Sequence, residues 1–310
     1  MKDFKEQLIS LYKQSFDESG DYVDYFFQNR YKEENVAAVI MDGRVISALH
    51  LIPQKIMMDG KAVLAGYISS AATLPEFRGR GIFAETIAKA DEMLVESGMD
   101  FCFLFPFKHE YYKKFDFIEY TYVKTRTAGA GLNEEIKKKN EKIRIEEYRE
   151  GDKKLLNKIK DIYERLCGNF EGWVIRDDRE WEYRIGEIRA DKGIVLAVKA
   201  DNKREGYCFI NKGRIEECCF TDFLDGDTDG GLLIDNVPAA AGMEYTAPVC
   251  KPLNQIANDG LQIANDDNIT AVRQHPSRPR PFGMIKKTGG TAAETYDCFK
   301  NKRCILLDKY

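Results

Sequence analysis

The sequence predicts an α/β (α+β) protein, a mixed and mainly antiparallel sheet flanked by helices, followed by a second unit of similar outline. Three observations carry this. Asp42-Gly43 and Asp59-Gly60 each close an apolar run and open another, and Asp-Gly in that setting is a hairpin signal. The stretch TLPEFRGRGIF, from Thr73 to Phe83, ends a third apolar run and leads directly into a helical pattern. A small and charged run, AGAGLNEEIKKKNEK at 128–142, reads as a linker, so the chain divides into a first domain at 1–127 and a second at 143–310.

Taken in order, residues 4–15 place Leu8, Ile9, Leu11 and Tyr12 on one helical stripe, and YVDYFFQNRY makes a second, aromatic-rich helix. The period then changes. NVAAVIM, RVISALHLIPQKIMM and KAVLAGYISSAAT read as three strands of an antiparallel meander over 35–73. IFAETIAKADEMLVES, at 82–97, returns to helical spacing, with Gly98 placed to cap it. FCFLFPF is a buried strand, HEYYKKF a short helix, and IEYTYVKTRT a closing strand.

Beyond the linker, IRIEEYRE reads as a strand and DKKLLNKIKDIYERLCGN as an amphipathic helix. GIVLAVK and GYCFINKGRIEECCF supply strands with a turn at Lys212-Gly213. From about 221 the texture shifts to Asp, Gly, Ala, Asn and Pro. Only a helix near 251–264 and two strands, FGMIKK and RCILLDKY, stand out there.

Composition narrows the function classes. At 310 residues with 44% hydrophobic and 32% charged side chains, the chain has material for two ordinary cores. No run approaches the roughly 18 apolar residues of a membrane span. MKDFKEQLISLYKQ lacks the apolar stretch of a signal peptide, so a cytoplasmic protein without membrane partners is expected. The net charge of −4 is spread along the chain, which argues against nucleic acid as a partner. Cys102, Cys167, Cys208, Cys218, Cys219, Cys250, Cys298 and Cys304 include no CxxC pair. His50, His109 and His275 are scattered, so no metal is expected and the thiols read as reduced packing residues.

The chemistry concentrates at Arg78-Gly79-Arg80-Gly81. A strand that stops at a glycine turn opening a helix presents unbonded backbone N–H groups and the positive end of the helix dipole, a ready anion site. The glycines permit close approach of a phosphate and the two arginines add charge. The same tetrapeptide also fits a plain surface turn or an RNA contact. It is not a phosphate loop of the GK(S/T) type, nor a dinucleotide fingerprint, since neither spacing is present.

The order helix, helix, three-strand meander, basic glycine turn, helix, strand, helix, strand resembles the GNAT acetyltransferase fold. The turn is similar to that family's acetyl-CoA pyrophosphate motif: Gln or Arg, two free positions, Gly, one free position, Gly or Ala. It runs here from Arg78 to Phe83, and Phe83 departs from the small sixth residue. That departure, together with YISSAATLPEFRGRG and Tyr112-Lys113-Lys114-Phe115-Asp116-Phe117, resembles the Eis-like branch, in which a second GNAT-like domain follows the first.

The resemblance implies an N-acetyltransferase with acetyl-CoA as co-substrate. The backbone of Ala71, Ala72 and Thr73 would pair with the pantetheine arm, and Arg78, Gly79, Arg80, Gly81, Ile82, Phe83 and Ala84 would hold the pyrophosphate. Tyr112 would protonate the leaving thiolate, a role that positioned acids fill at about 10² to 10⁴ in rate. The C-terminal carboxylate of Tyr310 is the analogue of the base. Tyr22, Tyr25 and Phe26 would border the acceptor, or simply pack the core. Asp116 stands in place of a glycine, and Asp visits left-handed backbone more readily than most residues. The second domain lacks the basic turn and is expected to shape the acceptor pocket without catalysing. The acceptor is a small amine, aminoglycoside-like or polyamine-like, or a protein lysine. Homo-oligomeric assembly is compatible with the branch, and a non-catalytic acyl-CoA sensor or scaffold is the alternative.

Overall fold

A computed structural model describes residues 3–127, 143–200, 204–220, 244–248 and 280–299. Helices α1 (Phe4–Ser15) and α2 (Gly20–Asn29) begin on side-chain caps: Asp3 accepts from the Phe4 amide, and Ser19 from the Tyr22 amide at 3.1 Å. Strands β1 (Val36–Met41), β2 (Arg44–Met58) and β3 (Lys61–Thr73) form the expected meander. Both of its turns place Asp and Gly at positive φ, 50° and 75° at Asp42-Gly43, 50° and 70° at Asp59-Gly60. Two consecutive left-handed residues match the strand twist, and for that reason Asp-Gly selects a tight hairpin.

α3 (Ile82–Glu96) follows, ending where Gly98 takes φ 63° and the Met99 amide reaches back to the Leu94 carbonyl. Then come β4 (Phe101–Leu104), the short α4 (His109–Lys113) and β5 (Ile118–Thr127). The second unit contains β6 (Ile143–Glu147), α5 (Lys153–Cys167), α6 (Asp178–Ala190), β7 (Ile194–Ala200), β8 (Glu205–Asn211) and β9 (Arg214–Phe220). Its four strands pair antiparallel in sequence order under α5 and α6.

The later segments return to the first sheet. β10 (Glu244–Pro248) pairs with β5, and β11 (Arg280–Lys287) inserts between β4 and β5; the helix α7 (Ala292–Phe299) packs beside them. The first sheet therefore runs β1-β2-β3-β4-β11-β5-β10. This corrects the sequential division at 143: strand FGMIKK exists, but it belongs to the first sheet, and β5 does not close it. The linker at 128–142, the helix near 251–264 and the strand RCILLDKY lie outside the described residues.

α1 and α2 cover one face of the first sheet, with Leu8, Leu11, Tyr22, Phe26 and Phe27 packed on Ile46, Ile52 and Tyr67. α3 and α4 cover the other, where Phe83, Ile87, Leu94 and Tyr112 meet Leu49, Leu51 and Ile68. The two units are joined through the backbone. Gly172 donates to Met57, Met57 to Trp173 and Ile175 to Lys55, at 2.7 to 2.9 Å, so residues 172–175 line the end of β2 that β1 leaves free. Trp173 and Trp181 are both buried in the second core, Trp181 between Tyr163 and Tyr207.

Candidate active site

The site begins where two strands part. β3 runs parallel to β4 only over Ala65–Tyr67, paired with Phe101–Phe103. From Ile68 to Thr73 no strand among the described residues pairs with β3 on that side. On its other side the register with β2 jumps from Ala48↔Ala72 to His50↔Ser69, so Ser70 and Ala71 stand against Leu49 alone. Ser70 takes φ 55°, a conformation costly for a non-glycine residue. This is a β-bulge, and it turns the strand edge at the point where pairing with β4 has ceased. Ala71, Ala72 and Thr73 thus present one ladder edge to an opening, and such an edge accepts an extended, amide-bearing ligand as an added strand.

The basic turn sits at the end of that edge. Leu74 is buried and its amide donates to the Ile46 carbonyl at 2.9 Å, anchoring the start of the turn. A 3₁₀ turn at Pro75–Phe77 follows, and Arg78 Nε donates back to the Thr73 carbonyl at 2.9 Å. Gly79 and Gly81 take φ 74° and 80°, so both glycines are there for backbone conformation. Gly81 is the N-cap of α3, and no side chain caps the helix. The Ile82 and Phe83 amides open the helix without an acceptor inside it and face outward beside the exposed Arg78 and Arg80, while the Ala84 amide donates to the Gly81 carbonyl at 2.9 Å. Glu76 pairs with Arg44 at 2.8 Å, and Arg80 lies over the Phe77 ring at 5.6 Å.

A buried hydroxyl chain supports this turn from below. Thr86, on α3, donates to Ser47 Oγ at 2.7 Å; Ser47, on β2, contacts Thr73 Oγ1 at 2.9 Å and the Ala72 carbonyl at 3.1 Å. Ser47 and Thr86 are fully buried, and together they tie β2, β3 and α3 at the opening. Sequence reasoning missed both residues. The only available signal was a hydroxyl in each of two otherwise apolar periodic patterns.

Tyr112 reaches the same place from the other side. It is 5% exposed on α4, ringed by Phe83 (6.2 Å), Phe107 (6.0 Å), Tyr111 (5.4 Å) and Phe117 (6.0 Å). Burial, and then the neighbouring Tyr111, hold its pKa well above the ordinary phenol value, so it is a protonated donor at neutral pH. Phe83, the departure from the family motif, is the link. Its ring is buried and contacts Tyr111 (5.4 Å), Tyr112 and Phe115 (5.9 Å), docking α4 onto the first turn of α3. Asp116, after α4, adopts φ 65°, and its carboxylate accepts from the Ala292 amide at 3.3 Å.

The three aromatic residues of α2 divide. Tyr22 and Phe26 are buried against the sheet, while Tyr25 faces the second unit, its hydroxyl donating to the Glu182 carbonyl at 3.4 Å and its ring lying against Gly186. α6 grips α2 along its length. Asp191, just after α6, accepts a hydrogen bond from Ser19 and is paired with Lys212 at 2.9 Å, and Arg30 pairs with Glu180 at 3.1 Å and Glu187 at 3.4 Å. His50 is buried among Phe26, Phe27 and Tyr31, with neither ring nitrogen hydrogen-bonded among the described residues. His109 lies 3.6 Å from Glu119. Tyr310 falls outside the described residues. Among the described residues no group of His, Cys, Asp and Glu is arranged to hold a metal, and no helix is long and apolar enough to cross a membrane.

Residues 1–120 match the family model described as an acetyltransferase (GNAT) domain. No curated protein matches by sequence. Among solved structures, a conserved protein of unknown function from Enterococcus faecalis V583, described as a probable N-acyltransferase, is 15% identical with a TM-score of 0.61. The match covers 92% of this chain and 70% of that one. Eis1 from Mycobacterium abscessus is 12% identical with a TM-score of 0.56, covering 91% and 70%. Saccharomyces cerevisiae N-myristoyltransferase with bound myristoyl-CoA is 11% identical with a TM-score of 0.53, covering 98% and 86%. At these identities the likenesses establish the fold, and they include the Eis-type arrangement that the sequence resembles.

Proposed function

We propose that this chain, whose residues 1–120 form an acetyltransferase domain of the GNAT family, moves an acetyl group from acetyl-CoA directly to a primary amine. The observation that carries the reading is the junction at Phe83. It joins a helix N-terminus suited to a pyrophosphate to a buried tyrosine suited to a leaving thiolate, beside an unpaired strand edge suited to the arm between them.

In this reading Gly79 to Ala84 offer backbone N–H groups to the pyrophosphate, with Arg78 and Arg80 adding charge. Ala71 to Thr73 pair with the pantetheine amides. The neutral amine attacks the thioester carbonyl and a new N–C bond forms. Charge developing on the carbonyl oxygen is met by a backbone N–H near the bulge at Ser70, since preorganised donors at such a position stabilise the tetrahedral state. The C–S bond then breaks, and the Tyr112 hydroxyl supplies the proton that converts the leaving thiolate to CoA thiol. The amine's proton goes to a base, the role proposed for the carboxylate of Tyr310. The acceptor is a small-molecule amine or a protein lysine, bounded by α2 and the part of the second unit that holds it. A cytoplasmic setting fits this donor.

The test is thiol release from acetyl-CoA against a panel of amines, for wild type and Tyr112→Phe. Amine-dependent release that falls at least tenfold in Tyr112→Phe, with acetyl-CoA affinity retained, is expected. Tight acetyl-CoA binding with no release for any amine would overturn the enzyme in favour of an inert acyl-CoA binder.

A further inference from the structure

The donor's acyl end, on the acyl-transfer reading above, points toward the place where β3 and β4 meet. The pyrophosphate site lies beyond the end of β3, so an arm laid along Thr73 to Ala71 runs back toward Ser70 and the last paired residues, Tyr67 and Phe103. The side chains of these two residues lie on the α1/α2 face. Their rings stack at 5.3 Å with 23° between planes, and both are buried, at 3% and 1% exposed. Phe105 meets the Tyr67 ring edge-on at 6.1 Å. The apex of the opening is therefore floored with aromatic carbon.

What lies behind the floor is charged and full. Tyr67 and Phe103 share a cavity of about 10 Å³ with Arg30, Gln54, Arg176, Glu180 and Arg184, at the lower limit of the room one water needs. Most of the charged groups there are engaged with one another, while the buried Gln54 Oε1 has no hydrogen-bond partner among the described residues. Arg30 pairs with Glu180 at 3.1 Å, Gln54 Nε2 donates to Glu180 at 2.9 Å, Arg176 is bidentate on Glu217 at 2.8 Å, and Arg184 reaches Glu217 at 3.0 Å. An alkyl chain pushed past the rings would have to separate buried ion pairs and replace their partners with methylenes. That costs far more than burying the chain returns.

We infer that the Tyr67–Phe103 stack sets the acyl length of the donor, admitting short acyl groups and excluding medium and long ones. These two residues determine specificity; they are not catalytic, and the rings carry the effect, not the Tyr67 hydroxyl.

The experiment compares acetyl-, butyryl-, octanoyl- and myristoyl-CoA on wild type, Tyr67→Phe and Tyr67→Ala. For wild type, kcat/KM is expected to fall at least tenfold between butyryl- and octanoyl-CoA. Tyr67→Phe should keep that step, and Tyr67→Ala should narrow it by opening the floor. Calorimetry on wild type gives a second readout that needs neither turnover nor a variant that folds. A buried methylene adds about fourfold in affinity, so affinity that stays level beyond butyryl-CoA is expected. Affinity for myristoyl-CoA that rises about fourfold per methylene, or equal turnover of octanoyl- and acetyl-CoA, would overturn the inference. If no donor is turned over, the transfer reading fails, and the wild-type affinity series still decides whether the floor is closed.

Discussion

Replacing Phe83 with the alanine common at that motif position should weaken this protein, although it brings the sequence closer to the family pattern. Removing a buried phenylalanine ring from a core costs roughly 3 to 5 kcal/mol. Here the ring is 8% exposed and makes three aromatic contacts, each worth about 0.5 to 1.5 kcal/mol beyond its area. It sits in the first turn of α3, next to the exposed Gly81 and Ala84, where the surroundings collapse more readily than in a core centre. The low end of the range therefore applies, about 3 kcal/mol, or a fall in melting temperature of about 5 °C for a chain of this size.

Function should follow stability through a defined route. Tyr112 leans on Phe83, so the Phe83→Ala variant should lose kcat more than it loses acetyl-CoA affinity, because the glycine-shaped backbone of the turn is unchanged. Phe83→Leu, which fills most of the space, should recover most of the stability and part of the rate. The assays are thermal unfolding, acetyl-CoA calorimetry and thiol release on all three proteins. A Phe83→Ala protein with wild-type melting temperature and wild-type kcat would refute the argument that this ring docks α4 onto the cofactor turn.

Two other outcomes are expected. A Cβ on Gly186 would lie 1.9 Å from the Tyr25 hydroxyl oxygen and 2.4 Å from its ring carbon, so Gly186→Val must displace the Tyr25 ring, or α6 with it, at the contact between α6 and α2. Steady-state kinetics with both substrates varied should show the acceptor KM rising severalfold while the acetyl-CoA KM holds; a change confined to acetyl-CoA would place α2 on the donor side instead. His50 is held neutral by burial, its pKa lowered from 6.5 to about 4. The unfolded chain then takes up a proton below about pH 6.5 that the native state refuses until about pH 4. Stability is complete above that window and is lost as pH falls through it, by about 2.5 kcal/mol between pH 7.5 and 4.5. Between the two pH values, denaturation of wild type should lose about 2.5 kcal/mol more stability than His50→Leu, and parallel losses would show that native His50 takes up its proton as readily as the unfolded chain does.

What was legible in the sequence was local. Asp42-Gly43, Asp59-Gly60 and Lys212-Gly213 all have both residues at positive φ, and each turn could be placed because its conformation depends on two residues alone. The same holds for Gly79 and Gly81, whose backbone shape is set by the absence of a side chain. The insertion of β11 between β4 and β5 was not legible, since Met284 pairs with Leu104 across 180 positions and nothing in FGMIKK names its partner. α6 was missed for a different reason. Arg184 and Glu187 stand on its buried face and break the apolar period, and they are tolerable there only because Glu217 and Arg30 arrive from distant segments.

The two sides of the site differ in the same way. The donor side is made of backbone amides, glycines and one strand edge, and such features leave a signature in consecutive residues. The side proposed for the acceptor is made where α2 meets α6, through Ser19 and Asp191, Tyr25 and Gly186, Arg30 and Glu187. No window of sequence contains both members of any of these pairs. Tyr22, Tyr25 and Phe26 were therefore indistinguishable as sequence, although one faces the second unit and two are core. On the proposed reading the acceptor is bounded by this contact between units, so a change in the second unit should alter acceptor choice while the turn at Arg78–Gly81 stays as it is.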